Sequence, residues 1–158
     1  MEKFPNYQLT ILDDATVDVE SLVKNKKLLI LVFYRGFHCS VCYRYVHRWG
    51  TYYPEYANLG IEVVAVSTDT PLRAQQAKEE WFTGKLPMAH SFSLKDGKDL
   101  GMHISHGFGS QQPEEFLEPA LFVLKPNLEI LASSVQSTPY ARPDIKVLLH
   151  DLEQILAH

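Results

Sequence analysis

A single three-layer α/β/α domain with a mixed central sheet is the fold class this sequence predicts, on three observations. Apolar runs of strand length, at residues 28–34, 61–67 and 120–124, alternate with segments of helical period. A segment of crossover length separates the first two runs, which makes them parallel neighbours in a sheet covered on both faces. The third run turns at Pro126-Asn127 into residues 128–132, which read as an antiparallel neighbour.

Composition sets the frame. The 158 residues, 46% hydrophobic and 22% charged, suit one domain over 1–158 that buries about two thirds of its unfolded surface. A net charge of −4 and a pI near 5.9 exclude the basic surface that nucleic acid or an anionic membrane requires. The start, MEKFPNYQLTILDD, has no basic region followed by an apolar core, and no apolar run approaches the roughly 20 residues of a bilayer span. A soluble cytoplasmic protein is expected.

Residues 7–11 alternate with a period of two and read as a short edge strand, followed by an Asp13-Asp14 turn. Residues 21–23 read as one helical turn. Residues 28–34, LLILVFY, lack Gly and Pro and are apolar on both faces, so this strand is expected to be central and parallel. From Ser40 onward Cys42, Val46, Trp49, Tyr53 and Tyr56 recur in steps of four and three, which puts one helix face on the sheet. Pro54 has no amide for its intrahelical bond, so a kink or break is expected there, and the helix stops over 58–60 on Gly60. Residues 61–67 are a second buried strand, after which Thr70 caps and Pro71 opens a helix over 72–82. Asp96-Gly97 reads as a turn, 99–102 as a short helical piece, and 107–118 as a loop rich in Gly, Gln and Glu. Pro143 opens a terminal helix with Ile145, Leu148, Leu149, Leu152, Ile155 and Leu156 on one side and Arg142 as its N-cap.

The chemistry concentrates where the strand at 28–34 hands over to the helix beginning at Ser40. The only two cysteines, Cys39 and Cys42, stand there as a C-x-x-C. Such a pair is too small for a disulfide scaffold and in a reducing compartment serves redox chemistry or metal binding. The thiolate is the reactive form, and a helix N-terminus favours it with about half a positive charge and free N–H groups. Cys39 is nearest that end. Arg35, four residues upstream, adds a full charge as a supporting residue. His38, directly before Cys39, either lowers the thiol pKa as a charged imidazole or simply lines the wall. The pair can then cycle: one thiolate attacks a disulfide or a peroxide oxygen, and the other closes the internal disulfide.

Other readings compete. Two inert thiols fit cysteine's usual burial but not this placement. Zinc on Cys39 and Cys42 with His38 or His47 lacks the second close-spaced couple of closed sites, and copper delivery wants wider spacing with a distant His103 or His106. Tyr43 stands where a c-type haem motif needs histidine. No metal and no cofactor is assigned. Tyr34, Phe37 and Tyr43 either line the groove around the sulfurs or belong to the core. Gln111, Gln112, Glu114 and Glu115 form a solvated loop or shape substrate access.

A strand ending FYRG, a C-x-x-C at a helix start, GIEVVAVSTDT, then PALFVL and a hairpin resemble the peroxiredoxin-like branch of the thioredoxin superfamily. That branch is named after alkyl hydroperoxide reductase and thiol-specific antioxidant. The likeness runs from about Tyr7 to the terminal helix and implies the thioredoxin fold. Peroxiredoxins carry P-x-x-x-T-x-x-C after this strand; laid on Phe33-Tyr34, the motif puts its Pro on Arg35, its Thr on Cys39 and its peroxide-reactive Cys on Cys42. Thioredoxins carry C-x-x-C itself, which makes Cys39 the attacking thiol and Cys42 the resolving one. Typical peroxiredoxins place an arginine just before the strand that here reads ALFVL, and Arg35 would stand in for it. This chain has Pro119 there, where thioredoxins place a cis-proline beside a backbone edge open to an extended substrate.

The resemblance implies an antioxidant thiol-dependent oxidoreductase. Full-chain likeness favours peroxide reduction through a redox-active Cys39–Cys42 pair, while the C-x-x-C and Pro119, as a substrate-binding residue, favour disulfide reduction. A thioredoxin-like or glutathione-like donor would reset the pair. The rival of a different class is a metal-binding or redox-sensing module that turns nothing over.

Overall fold

The computed structural model describes residues 2–13 and 15–158. In chain order the elements are β1 (Gln8–Ile11), β2 (Ala15–Asp18), α1 (Val19–Val23), β3 (Leu28–Phe33), α2 (Ser40–Asn58), β4 (Ile61–Val66) and α3 (Pro71–Glu80). They continue with β5 (Met88–His90), α4 (Leu94–Asp99), β6 (Ile104–His106), β7 (Glu115–Leu117), β8 (Ala120–Leu124), β9 (Ile130–Val135) and α5 (Ile145–Leu156). Among the described residues, seven strands form one mixed sheet in the order β2-β1-β5-β4-β3-β8-β9, and β6 pairs with β7 apart from it.

All six residues of β3 are buried, and its alternating side chains divide the core between two layers. Ile30 and Val32 join Cys42, Val46, Trp49 and Tyr56 of α2, Ala74 and Ala77 of α3, and Ile145 and Leu152 of α5. Leu29, Leu31 and Phe33 join Val19 and Val23 of α1, Phe92, Met102, Leu117 and Phe122 on the opposite face. At about 1.5–3 kcal/mol for each large apolar side chain, this two-sided burial fixes β3 at the centre. The result is the three-layer α/β/α thioredoxin fold. β3 is parallel to β4, as expected, and antiparallel to β8 on its other side.

Several expectations need correction. β1 is not an edge: it lies between β2 and β5, with Leu9 opposite Val17 in an antiparallel pair. The sequence of β2, ATVD, is too short and polar to announce the true edge. Asp14 of the expected Asp13-Asp14 turn lies outside the described residues. α2 runs through Pro54 without a break; Trp49 and Tyr56, on either side of it, pack with ring centroids 5.0 Å apart, and the Tyr56 hydroxyl donates to the Ile145 carbonyl at 2.7 Å. Asp96-Gly97 lies inside α4, capped by the Ser93 hydroxyl, and not in a turn before a helical piece at 99–102. The expected loop at 107–118 contains β7. Asp144, not Arg142, caps α5 by accepting the Val147 amide at 2.9 Å, and Ile155 is 51% exposed rather than on the packed side. Thr70 does cap α3, accepting the Arg73 amide at 3.3 Å.

Candidate active site

The end of β3 feeds a turn that is fastened from below. Gly36 adopts φ +136°, and a Cβ there would meet Asp69 Oδ1 at 2.6 Å. Only glycine fits this approach. Asp69, buried after β4, accepts the Phe37 amide at 2.8 Å and donates its own amide to the Ser67 hydroxyl at 3.2 Å. Burial pushes the Asp69 carboxyl up to about 6, against the pull of the Phe37 amide and the Arg73 charge. The turn delivers Cys39 as the N-cap of α2 and Cys42 to its first turn, facing the core.

Both thiols are free and buried, Cys39 at 6% exposure and Cys42 at 0%. Hydrogen bonding from the Cys42 thiol is the leading influence on Cys39; with the Cys42 amide and the charges of Arg142 and Arg35, it outweighs burial and brings the Cys39 thiol down to about 6. Cys42 moves the opposite way, well up, because it is buried deeper and donates to Cys39. Arg142 reaches across 100 residues of sequence to place Nη2 2.8 Å from Cys42 Sγ. It is held there by its Nε donating to the Pro139 carbonyl at 2.8 Å and by the Tyr45 ring 4.9 Å from its guanidinium carbon. Its Nη1 is buried with no hydrogen-bond partner among the described residues.

Arg35 lies at the same turn, but its guanidinium forks onto Glu118 at 2.8 and 2.7 Å. Glu118 also accepts the Ser105 hydroxyl at 2.6 Å, and these bonds hold its carboxyl below the usual range despite burial. Arg35 therefore adds less to the thiols than its position in the sequence promises. His38 packs on Phe116 at 4.6 Å; burial, then the Arg35 and Arg73 charges, push its imidazole down to about 4. Near neutral pH it is uncharged, so its charged reading falls and it lines the wall.

Pro119 is buried directly before β8, and its peptide bond is trans like every other among the described residues. The Glu118 amide donates to the His103 carbonyl at 2.8 Å, and the Pro119 carbonyl accepts the Gln136 amide at 3.0 Å. The backbone edge that thioredoxins leave open is occupied here by the chain itself.

Tyr34, Phe37 and Tyr43 gather on Trp81, with ring centroids 5.7, 6.1 and 6.0 Å from it. Tyr34 is core and Tyr43 is 39% exposed. His47 turns Nδ1 to the Trp81 carbonyl at 2.9 Å, away from a shared ligand set. His103 and His106 lie on the surface beyond. Gln111 and Gln112 border a cavity of about 520 Å³ with His38 and Arg73. Sequence reasoning missed Asp69, Glu118, Trp81 and the role of Arg142. Only Asp69, in STDT directly after a strong strand, carried a local signal.

The AhpC/TSA family model matches residues 1–133. No curated protein matches the sequence. Among solved structures, the chain is similar to peroxiredoxin 6 of Arenicola marina, with a TM-score of 0.82 at 14% identity over 98% of this chain and 71% of that one. It is similar to a peroxiredoxin-like protein from Aquifex aeolicus, at TM-score 0.76 and 15% identity over 98% and 85%. It also matches reduced Prx3 of Vibrio vulnificus, solved with hydrogen peroxide, at TM-score 0.78 and 16% identity over 96% of each chain. At such identities the structures establish the fold, and the match over most of the chain establishes the family. The chain belongs to the AhpC/TSA family and is a peroxiredoxin-type thiol peroxidase.

Proposed function

We propose that this enzyme reduces peroxides through Cys39 and Cys42, with Cys39 as the attacking thiolate. The observation that carries the reading is the pair itself, two free buried thiols at the start of α2 with the Arg142 guanidinium 2.8 Å from Cys42 Sγ, and with the Cys39 thiol brought down to about 6. In the first step the Cys39 thiolate attacks one peroxide oxygen, the O–O bond breaks, and the alcohol or water leaves after taking a proton. Cys39 is then a sulfenic acid. The Cys42 sulfur attacks it, the disulfide forms, and water departs. One peroxide and two thiols become one alcohol, one water and one disulfide. Arg142 stabilises negative charge on the pair, and its unpartnered Nη1 is a donor for the peroxide oxygen. A thiol donor, thioredoxin-like or glutathione-like, resets the disulfide.

Arg142 on Cys42 favours a second reading, in which Cys42 attacks and Cys39 resolves, as in the peroxiredoxin register. Disulfide reduction with Pro119 at the substrate has less support, because the flanking backbone is already hydrogen-bonded within the chain. Two cysteines are too few for the disulfide scaffold of a secreted domain, and the cytoplasm is the proposed location. Among the described residues, no helix is long and apolar enough to cross a membrane.

The test follows peroxide consumption in a single turnover by wild type, Cys39→Ser and Cys42→Ser, trapping sulfenic acid for mass analysis. The expected outcome is one equivalent consumed and a trapped Cys39 in Cys42→Ser, with nothing consumed by Cys39→Ser. The reverse dependence transfers the attack to Cys42. Consumption by neither single variant nor wild type sinks the peroxidase reading of the pair.

A further inference from the structure

A peroxide as small as hydrogen peroxide needs no built groove, but returning a disulfide to two thiols brings in a larger molecule. A cavity of about 390 Å³ reaches Arg142, whose Nη2 stands 2.8 Å from Cys42 Sγ; it is walled by Val41, Tyr45 and Tyr140 and carries Arg44 and Arg48 as well. That volume is within the range of roughly 300–1,000 Å³ that small-molecule sites occupy. Residues 41, 44, 45 and 48 form one stripe of α2, about 10 Å long at 1.5 Å per residue.

Three features fit the groove to a carboxylate. Arg44 and Arg48 are exposed, and neither forms an ion pair among the described residues; Arg48 only lies 5.9 Å from the Tyr52 ring. Both also border a second hollow of about 500 Å³ with Ser40 and Tyr43, the residues that follow Cys39 and Cys42 in the chain, so Arg44 and Arg48 are shared by two cavities. Asp144, the one acid among the described residues that line the groove, is engaged as the cap of α5. In a chain of net charge −4 this is a local basic site with aromatic walls. Arg142 joins it to the chemistry, because the same residue lines the groove and donates to Cys42 Sγ.

We propose that this groove binds the carboxylates of a low-molecular-weight anionic thiol, with glutathione as the representative, which reduces the oxidised pair directly. The inference rests on reading Cys39 and Cys42 as the redox pair. The donor thiolate attacks the sulfur of Cys39, the less deeply buried residue of the two, forming a mixed disulfide as the Cys39–Cys42 bond breaks. The electron pair leaves on Cys42 Sγ, where Arg142 stabilises it, and a proton follows. A second donor thiolate attacks the donor-side sulfur and releases Cys39 as a thiolate. Two donor thiols are oxidised to their disulfide and one protein disulfide is reduced. The guanidinium forks of Arg44 and Arg48 hold the donor's carboxylates, and Tyr45 and Tyr140 flank its stem.

The experiment uses the full chain oxidised with diamide, so that peroxide turnover is not required. Re-reduction is timed by alkylating free thiols, with glutathione and with its diethyl ester, which carries the same thiol without the carboxylates. The readout is the ratio of the two rate constants in wild type and in Arg44→Gln/Arg48→Gln. The ratio is expected to fall roughly fivefold or more in the double variant, and to fall in wild type with added salt. A ratio equal in wild type and variant overturns the groove while leaving the redox pair standing. Failure of diamide to form an internal Cys39–Cys42 disulfide overturns the redox pair, and the groove's role with it.

Discussion

Cysteine is a poor helix cap, and that is its use at position 39. Ser, Thr, Asp or Asn there would accept the free N–H groups of the first turn and quench its positive end. Cys39 leaves that end to act on sulfur, with the Cys42 thiol as the leading influence and the Arg142 charge acting ahead of that of Arg35. The thiolate absorbance of the reduced protein is therefore expected to rise with a midpoint near pH 6. A hydrogen bond to a charged group is worth about 1.5–3 kcal/mol, so Arg142→Met is expected to slow peroxide reaction at pH 6 about tenfold or more. It should also move the midpoint up. A variant with midpoint and rate unmoved would remove Arg142 from the chemistry. The C-x-x-C was legible in the sequence because its meaning is local, a strand-to-helix junction with two thiols. Arg142 was not, because it arrives from 100 residues away on an irregular segment with no period to read.

The same contrast between local and distant signals governs whole elements. β3, α2, β4 and α5 were legible because their apolar periods are long and their caps or stops are chemically marked. β5, β6 and β7 have three residues each and exist because a neighbour offers a pairing edge, which no window of their own sequence announces. Pro54 shows the opposite error, a strong local breaker overruled by packing on both sides. Gly50 shows why α2 tolerates a poor helix former four residues earlier: a Cβ there would run into the Thr83 carbonyl oxygen. By propensity alone Gly50→Ala would gain about 1 kcal/mol. The contact is with backbone, which cannot swing aside, so the substitution is expected to destabilise by about 1–3 kcal/mol. Denaturant unfolding measures the sign directly. A more stable Gly50→Ala protein would mean that α2 can move off the 81–84 loop without loss.

At the scale of the whole molecule, the site's buried groups set how stability responds to pH, and two of them act in opposite senses. Asp69 titrates near 6 when folded and near 3.8 when not. Above pH 6 both states are ionised and the fold bears the full cost of a buried carboxylate. As pH falls from 6 to about 4, the folded state takes up the proton first and stability rises, by up to about 3 kcal/mol. His38 titrates near 4 when folded and near 6.5 when not, so acidification charges the unfolded state first and stability falls over the same window. In wild type the two slopes offset each other, and single variants expose them. Asp69→Asn keeps an acceptor for the Phe37 amide and is expected to lose stability between pH 7 and 4.5, with the His38 slope unopposed. His38→Phe is expected to gain stability over the same interval. Denaturant midpoints at the two pH values decide it, and an Asp69→Asn protein that gains stability on acidification would show that the carboxylate beneath Gly36 is not the group held near 6.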